Sequence, residues 1–489
     1  MPKYLLKIQD KFLYPLNLFN MKKMKFLQEN FVTELLLFFL FFVIASLIYF
    51  PVFKFGFFQD DFVWISHAKE VWSGQRPFFT LRISNFLMPV IYGYFAIVYK
   101  LFGLHAIGYY LANILIHTLN TILVYKISKK ILPGNIALVC AIVFLTLRYP
   151  MEAVTWISAI TALIVTHLLL VAAYYWIMYL ESQKKFYYFL TIMFTTILIC
   201  TKEWSVLLPP FLILVSFLYL HATGKINRFV NSVKKMIPIF GLFAVYLFVQ
   251  FFLQNNAAGV VEKGFYKIGW HAIPNMFGNI LLTFVPLTTT AYSYAQFWIG
   301  LSIFALIAMC VAGIILWTKY KNPAGLGIVW MIVAFIPTSF FTWDAYVSRY
   351  AYIPAIGVAL FAGYSVVFLQ NVNKNKKIFP ALLSLVMVYA ITNAFFTNRV
   401  LKTHYSPRHI ENNLFAEALT HAEPNIDKEK SVFMYDNTPH KGFILPEILH
   451  TLADIQPNAV LVLPEAQTCP ATEQCLLWDL ARKEIQIIK

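Results

Sequence analysis

Charge is scarce in this chain, and acid is scarcer still. Charged residues make up 13% of its 489 positions, with 39 Lys and Arg against 23 Asp and Glu. Hydrophobic residues make up 60%, and the mean hydropathy is +0.66. A soluble domain cannot hide that much apolar surface, which excludes the soluble globular class. Cysteine is sparse, at five, and there is no CxxC pair, GxGxxG, P-loop or HExxH. Soluble nucleotide-sugar or ATP chemistry therefore has no motif to rest on. The net charge of +16 would suit nucleic acid, yet no Lys/Arg stripe with interleaved aromatics occurs in a polar stretch, so nucleic acid is excluded as a partner.

What is present is a series of apolar runs, each about 20 residues long, the length that crosses a bilayer as a helix. Spans are expected at 34–53, 106–126, 134–149, 157–180, 187–201, 204–221, 236–253, 297–318, 324–342, 351–370 and 378–397, about eleven in all. Lysines fall in tracts between them: Lys126/Lys129/Lys130, Lys184/Lys185, Lys225/Arg228/Lys234/Lys235, Lys319/Lys321 and Lys374/Lys376/Lys377. With residues 1–33 read as a basic cytoplasmic tail, every tract lies inside, as the positive-inside rule demands. The runs 82–103 and 271–294 would break that rule as spans and are read as helices on the outer surface. The expected fold is an all-α polytopic membrane domain at 34–397, with a first outer loop at 54–105. Residues 398–489 hold strand-like runs (SVFMYD, AVLVLP) and a helical run (GFILPEILHTLADI), and are read as a small extracytoplasmic α/β domain. There Cys469 and Cys475 could close a disulfide loop. The predicted setting is the plasma (inner) membrane, with the N-terminus cytoplasmic and the C-terminus outside.

This topology places Asp60, Asp61, Glu70, Glu152, Glu203, Glu262 and Asp344 on the outer face, along with Arg76, Arg82, Arg148, Lys202 and Arg349. Span centres hold little that ionises beyond His117 and His167. A transporter keeps its ionisable groups near the midplane, so an outward-facing site at the lipid boundary fits better. Asp60 and Asp61, in FFQDDFVWI, stand out. At a helix end or turn one carboxylate can accept a proton from an attacking hydroxyl while the other orients a ligand or binds a metal. The plain alternative, a solvated helix C-terminus, sets negative charge against the helix dipole. The bland roles for the rest are a capping Glu152 with an interfacial Arg148, an ion pair between Lys202 and Glu203, and snorkelling for Arg349 beside Tyr350. The functional role for these cations is to hold a lipid phosphate. Asn113 and His117 read as buried interhelical hydrogen bonders, and His105 lies near the outer boundary.

The pieces QDDF, RPFF at 76–79, the NILIH helix, PMEAVTWIS, the KE loop and RYAYIPAIG occur in order across residues 57–357. In this the chain resembles the polytopic GT-C glycosyltransferases that use polyprenyl-phosphate sugars: family 39 protein O-mannosyltransferases, aminoarabinose lipid A transferases and TMTC-type enzymes. Only QDDF and RYAYIP are specific singly; the order makes the case. The chain departs from the fungal-type pattern in carrying Asp-Asp instead of Asp-Glu and in lacking a MIR-type domain, and it lacks the helical repeats of TMTC-type proteins. The acceptor therefore does not carry over. The resemblance implies inverting transfer from a polyprenyl-phosphate monosaccharide to a glycan, lipid or protein hydroxyl outside the cytosol. It implies Asp60 as general base and Asp61 as acceptor orienter or ligand of a divalent cation (Mg or Mn). Arg349, Lys202 and Arg148 would hold the phosphate, with Glu152, Glu203, Tyr350, Arg76 and His105 lining the site. The competing readings are a glycan polymerase or ligase with a diphosphate-linked donor, and a flippase of lipid-linked saccharide.

Overall fold

The computed structural model describes residues 32–78, 86–254, 266–285, 321–342, 347–372 and 378–426. Shorter described stretches lie at 82–83, within 308–318, at 432–435, 445–453, 460–463 and 474–479, and within 482–488. The basic N-terminal tail, Glu262, Asp344, Cys310, Cys469 and most of the expected span 297–318 lie outside them.

Apolar segments close into helices because a helix pairs every backbone N–H and C=O internally, the only open-chain solution in hydrocarbon. The first half holds α1 (Val32–Ile48), α2 (Asp61–Trp72), a two-residue antiparallel pair β1 (Arg82–Ile83) and β2 (Phe86–Leu87), then α3 (Pro89–Phe102) and α4 (Ala106–Ile131). It continues with α5 (Gly134–Thr146), the single turn α6 (Glu152–Thr155), α7 (Ile160–Ser182), α8 (Lys185–Ile199) and α9 (Leu208–Ala222). Next come α10 (Phe229–Lys234), α11 (Ile237–Gln254), α12 (Ala272–Phe284), α13 (Gly325–Ser339), α14 (Ala355–Val372), α15 (Ile378–Val400) and α16 (Ser406–Ala422).

Five helical runs among the described residues are long and apolar enough to cross a membrane, or seven if two bent pairs each count as one span. The expected spans at 34–53, 187–201 and 324–342 form helices shorter than that test, so length alone does not reach eleven. The segments at 89–102 and 272–284, expected on the outer surface, also form short apolar helices.

The bundle is tied together by polar groups buried between helices. His117 of α4 hydrogen-bonds through its ring to the Tyr352 hydroxyl (2.7 Å) and the Leu145 carbonyl (3.1 Å). Asn113 donates to the Val154 carbonyl at 3.1 Å. These are the interhelical bonds expected of the pair, and each satisfies a group that would be costly to leave unmet in an apolar core. Close packing is also built in: a Cβ added at Gly327 of α13 would sit 2.4 Å from the Gly357 carbonyl of α14.

The helical run does not end at 397. α15 continues through a π-turn at Leu401–Tyr405 into α16. Beyond it a four-stranded sheet forms in the order β4-β3-β5-β6: β3 (Val432–Tyr435), β4 (Val460–Leu463), β5 (Gln474–Asp479) and β6 (Glu484–Ile488). β3 runs parallel to β4 and β5, while β5 and β6 are antiparallel. α17 (Leu445–Ala453) makes the crossover between β3 and β4, as a parallel pair requires. The two strand-like runs and the helical run in the sequence are thus β3, β4 and α17. Cys475 is disulfide-bonded.

Candidate active site

Asp60 and Asp61 do not end a helix; they begin one. Asp60 is the N-cap of α2 and Asp61 its first residue, so the dipole that would oppose negative charge at a C-terminus here favours it. The turn before them is strained: Gln59 has φ 47°, a left-handed conformation that side-chain-bearing residues seldom adopt. That turn brings the Phe58 N–H back to donate to Asp61 Oδ2 at 2.8 Å.

The two acids have opposite surroundings. Asp61 is fully buried. Its Oδ1 accepts the Ser158 N–H (2.8 Å) and the Ser158 hydroxyl. Burial raises its pKa to about 7, against the pull of the Ser158 and Phe58 donors. Asp60 is partly exposed, and its carboxylate accepts no hydrogen bond among the described residues. Burial raises its pKa as well, and the positive charge of Arg349 lowers it. One carboxylate is thus locked by three donors and the other stands unengaged before a cation.

Ser158 belongs to PMEAVTWIS, which breaks helix twice. Pro150 opens a 3₁₀ turn, and Trp156 is extended (φ −117°, ψ 122°) between α6 and the next turn. The break turns the Trp156 ring toward the acidic loop, where its Nε1–H donates to the Phe58 carbonyl at 3.3 Å. The Arg349 guanidinium lies 4.6 Å from the Trp156 ring centre and 5.1 Å from that of Tyr350. Arg349 Nη1 donates to Glu152 Oε1 at 2.7 Å, and its backbone N–H donates to Oε2 at 3.2 Å. The Ser348 hydroxyl also donates to Oε2, at 3.2 Å. Glu152 starts α6, as read from the sequence, and fixes the SRYA turn. Trp204 packs edge-on to Tyr350 (5.3 Å), and Phe341 stacks parallel to the same ring (5.5 Å). Lys202 pairs with its neighbour Glu203 at 3.5 Å.

The structure therefore gathers Asp60, Asp61, Glu152, Arg349 and Tyr350, with Lys202 and Glu203 adjoining through Trp204. Arg148 is 2% exposed and lies beneath this surface, its backbone N–H donating to Asn393 Oδ1 of α15 at 3.0 Å. Two expected residues are not brought in. Arg76 pairs with Glu70 (2.6 Å), and Glu70 lies nine residues along α2 from Asp61, roughly 13 Å at the helical rise. His105 is exposed ahead of α4, its side chain paired with no described residue.

Reasoning from sequence missed Ser158 and Trp156, although both lie inside a motif it had singled out. It also missed the clamp that the C-terminal region places on the acidic segment. The His409 ring of α16 stacks on Phe55 at 4.1 Å, and Asn413 donates to the Lys54 carbonyl at 3.4 Å. α17 packs on α2: Lys69 donates to the carbonyls of His450 (3.0 Å) and Thr451 (3.3 Å), and the Thr451 hydroxyl donates to that of Phe62 (3.4 Å). Lys69 thereby caps the negative end of α17. The one signal in the sequence is the polar, aromatic run THYSPRHIENN directly after the last span.

The donors on Asp61 also bear on a cation. Its oxygens already take three protein hydrogens, and Glu152 is engaged by Arg349. Among the described residues no three His, Cys, Asp or Glu side chains gather as a metal-holding set. This donor set does not form a cation cradle.

Known proteins resemble this chain over part of its sequence and in its fold. A family model described as dolichyl-phosphate-mannose-protein mannosyltransferase matches residues 88–253. No curated protein matches the chain at a significant level. Sixteen solved chains match its structure. One is ArnT from Cupriavidus metallidurans bound to undecaprenyl phosphate (TM-score 0.53, 14% identity, 90% of this chain and 92% of that one). Others are the archaeal oligosaccharyltransferase AglB from Archaeoglobus fulgidus with an inhibitory peptide and a dolichol-phosphate (0.52, 12%, 88% and 64%), and the apo form of that species' oligosaccharyltransferase (0.55, 12%, 88% and 64%). The chain thus spans less than two thirds of the oligosaccharyltransferase, and at these identities the likeness is one of fold.

Proposed function

From the GT-C superfamily fold that this membrane protein carries, we propose that it is an integral-membrane glycosyltransferase acting at the extracytoplasmic face. It moves a monosaccharide from a polyprenyl-phosphate donor to a hydroxyl of a glycan, lipid or protein. One observation carries this reading: an unengaged carboxylate, Asp60, stands within electrostatic reach of an aromatic-bound guanidinium, Arg349, at a turn fixed by Asp61.

The chemistry follows from that pairing. Asp60 accepts the proton of the acceptor hydroxyl as its oxygen attacks the anomeric carbon from the face opposite the phosphate. The bond between that carbon and the phosphate oxygen breaks, its electron pair leaves with the polyprenyl phosphate, and the configuration inverts. Arg349 and Lys202 stabilise the charge that develops on the leaving oxygen. Each is already ion-paired with a glutamate, which keeps the cation in place. Asp61 holds the turn that aims Asp60. The donor's tail stays in the lipid; an apolar cavity of about 480 Å³ lined by Ile268, Trp270, Met276, Ile336 and Phe340 lies next to Phe341 and suits such a chain. The outward orientation rests on the placement of the lysine tracts.

The test is transfer by purified full-length protein from defined polyprenyl-phosphate sugars to candidate acceptors, with Asp60→Asn as control. Transfer by the wild type and its loss in Asp60→Asn support the reading; equal transfer by both refutes the catalytic assignment. A reporter fusion that places residues 54–78 in the cytosol would overturn the orientation.

A further inference from the structure

Two of the lysine tracts, far apart in the chain, meet in the fold. Phe229 of α10 packs edge-on to Phe217 of α9 (5.6 Å), and Phe217 and His221 both pack against Trp317 (5.5 and 5.7 Å). One turn beyond Trp317 its helix ends at Lys321, whose N–H donates to the Trp317 carbonyl at 3.0 Å. The aromatic group thus gathers Arg228, the neighbour of Phe229, and Lys321 around one spot. Lys225, Arg228, Lys234 and Lys321 are all exposed, and none pairs with a carboxylate among the described residues. No Asp or Glu occurs between Glu203 and Glu262, or between Glu262 and Asp344. Glu181, at the end of α7, is held by Lys130 at 2.6 Å.

An apolar cavity of about 300 Å³ opens beside this group, with Gly313, Ile314, Trp317, Asn322 and Val329 in its lining. The helix carrying Gly313 meets α13 backbone to backbone, since a Cβ added at Gly325 would sit 2.9 Å from the Gly313 Cα. No side chain therefore fills the notch between them. Ile314 and Val329 are 62% and 49% exposed, so the notch opens sideways to lipid. The Asn322 amide is spent within the protein, donating to the Tyr364 carbonyl (3.1 Å) and accepting the Ala324 N–H (2.9 Å). The interior suits hydrocarbon, and charge is met at the mouth.

The segment that carries the cations lies as a surface helix does. The run Ile226–Lys234 is bent 43° from Ile237–Gln250, and Ile226 and Val230, one turn apart, are 43% and 65% exposed. Apolar side chains turned outward beside lysine and arginine fit the headgroup boundary.

We propose that this cavity and the cations at its mouth bind an anionic phospholipid, in the cytoplasmic leaflet by the placement of the lysine tracts. One acyl chain fills the notch beside Gly313 and Gly325, while Arg228 and Lys321 receive the headgroup phosphate. The bound lipid braces α9, α10 and α13 against one another. α13 runs roughly 20 Å at the helical rise from this end to Phe341 beside Tyr350, so the site lies far from Asp60 and does not depend on the reaction proposed above.

The test uses full-length protein in phosphatidylcholine nanodiscs doped with brominated lipid, which quenches tryptophan on contact. The difference between wild type and Trp317→Phe isolates Trp317 from the other tryptophans. Half-quenching of Trp317 should need roughly 25-fold less brominated phosphatidylglycerol than brominated phosphatidylcholine, about fivefold for each of two cations at an anionic headgroup. Arg228→Gln and Lys321→Gln should each remove about fivefold of that preference and melt like the wild type in phosphatidylcholine. Val329→Phe, which fills the notch, should bring phosphatidylglycerol to the level of phosphatidylcholine. Equal quenching by the two lipids in the wild type overturns the site and leaves an ordinary boundary contact. A preference that survives in the double variant Arg228→Gln/Lys321→Gln overturns it as well. Undecaprenyl phosphate that displaces brominated phosphatidylglycerol better than unlabelled phosphatidylglycerol does overturns the choice of ligand in favour of the carrier lipid.

Discussion

Replacing each aspartate by asparagine should separate the two acids into different kinds of residue. Asp61→Asn keeps one oxygen and exchanges the other for an NH₂. If the oxygen retains the Ser158 N–H and hydroxyl, the new NH₂ faces the Phe58 N–H, donor against donor; the reverse arrangement sets it against Ser158 instead. At least one buried donor is left unmet either way, which costs about 1–3 kcal/mol. Asp60→Asn disturbs no hydrogen bond, so its effect on stability should lie within about 0.5 kcal/mol. The order reverses in catalysis. Loss of a general base lowers kcat by about 10²–10⁴-fold, so Asp60→Asn should abolish measurable transfer while melting like the wild type. Asp61→Asn should melt lower and lose activity through a displaced turn. The assays are thermal unfolding in nanodiscs and single-turnover transfer on the same preparations. An Asp60→Asn protein that transfers normally, or an Asp61→Asn protein as stable as the wild type, refutes the division of labour.

Three further outcomes are expected. Arg349 lowers the pKa of Asp60, so Arg349→Met should move the acidic limb of the kcat/KM profile to higher pH, beyond whatever it costs in rate; an unmoved limb means the two do not interact. Asp61, raised to about 7 by burial, binds its proton more tightly folded than unfolded. Its contribution to stability is therefore full at acid pH and falls as pH rises from about 4 through about 7. The difference in stability between wild type and Asp61→Asn, measured by denaturation across that window, should show this slope, and a flat difference would contradict it. Lys69→Met should free α17 from α2 and lower kcat more than it raises the donor KM, with Lys69→Arg restoring part of it. An unchanged kcat would mean the clamp does not position Asp60.

The clamp shows where local reading stops. That the chain is a helical membrane protein followed real physics in the sequence: hydrocarbon demands helices, and runs of about 20 apolar residues leave no alternative. The acidic pair, the PMEAVTWIS break, the KE loop and the SRYA turn were visible for a related reason, because polar groups beside apolar spans need a purpose. Local reasoning does not reach the surroundings of Asp61. Whether an acid is a base or an anchor depends on Ser158, which lies 97 positions away in the chain and whose N–H and hydroxyl close on it only after α2 meets the turn before α7.

The sequence by itself determined the class, the order of the motifs and the residue types the site can draw on, since these follow from composition, spacing and charge placement. Only the tertiary structure decided which acid is free, that Arg349 is braced by Glu152 and Trp156, and that Arg76 is spent on Glu70. It also decided that Arg148 is sealed beneath the site and that the tail after residue 398 grips the acidic helix. Each of these depends on which groups lose water together, and desolvation belongs to the packed molecule, not to any segment of its chain.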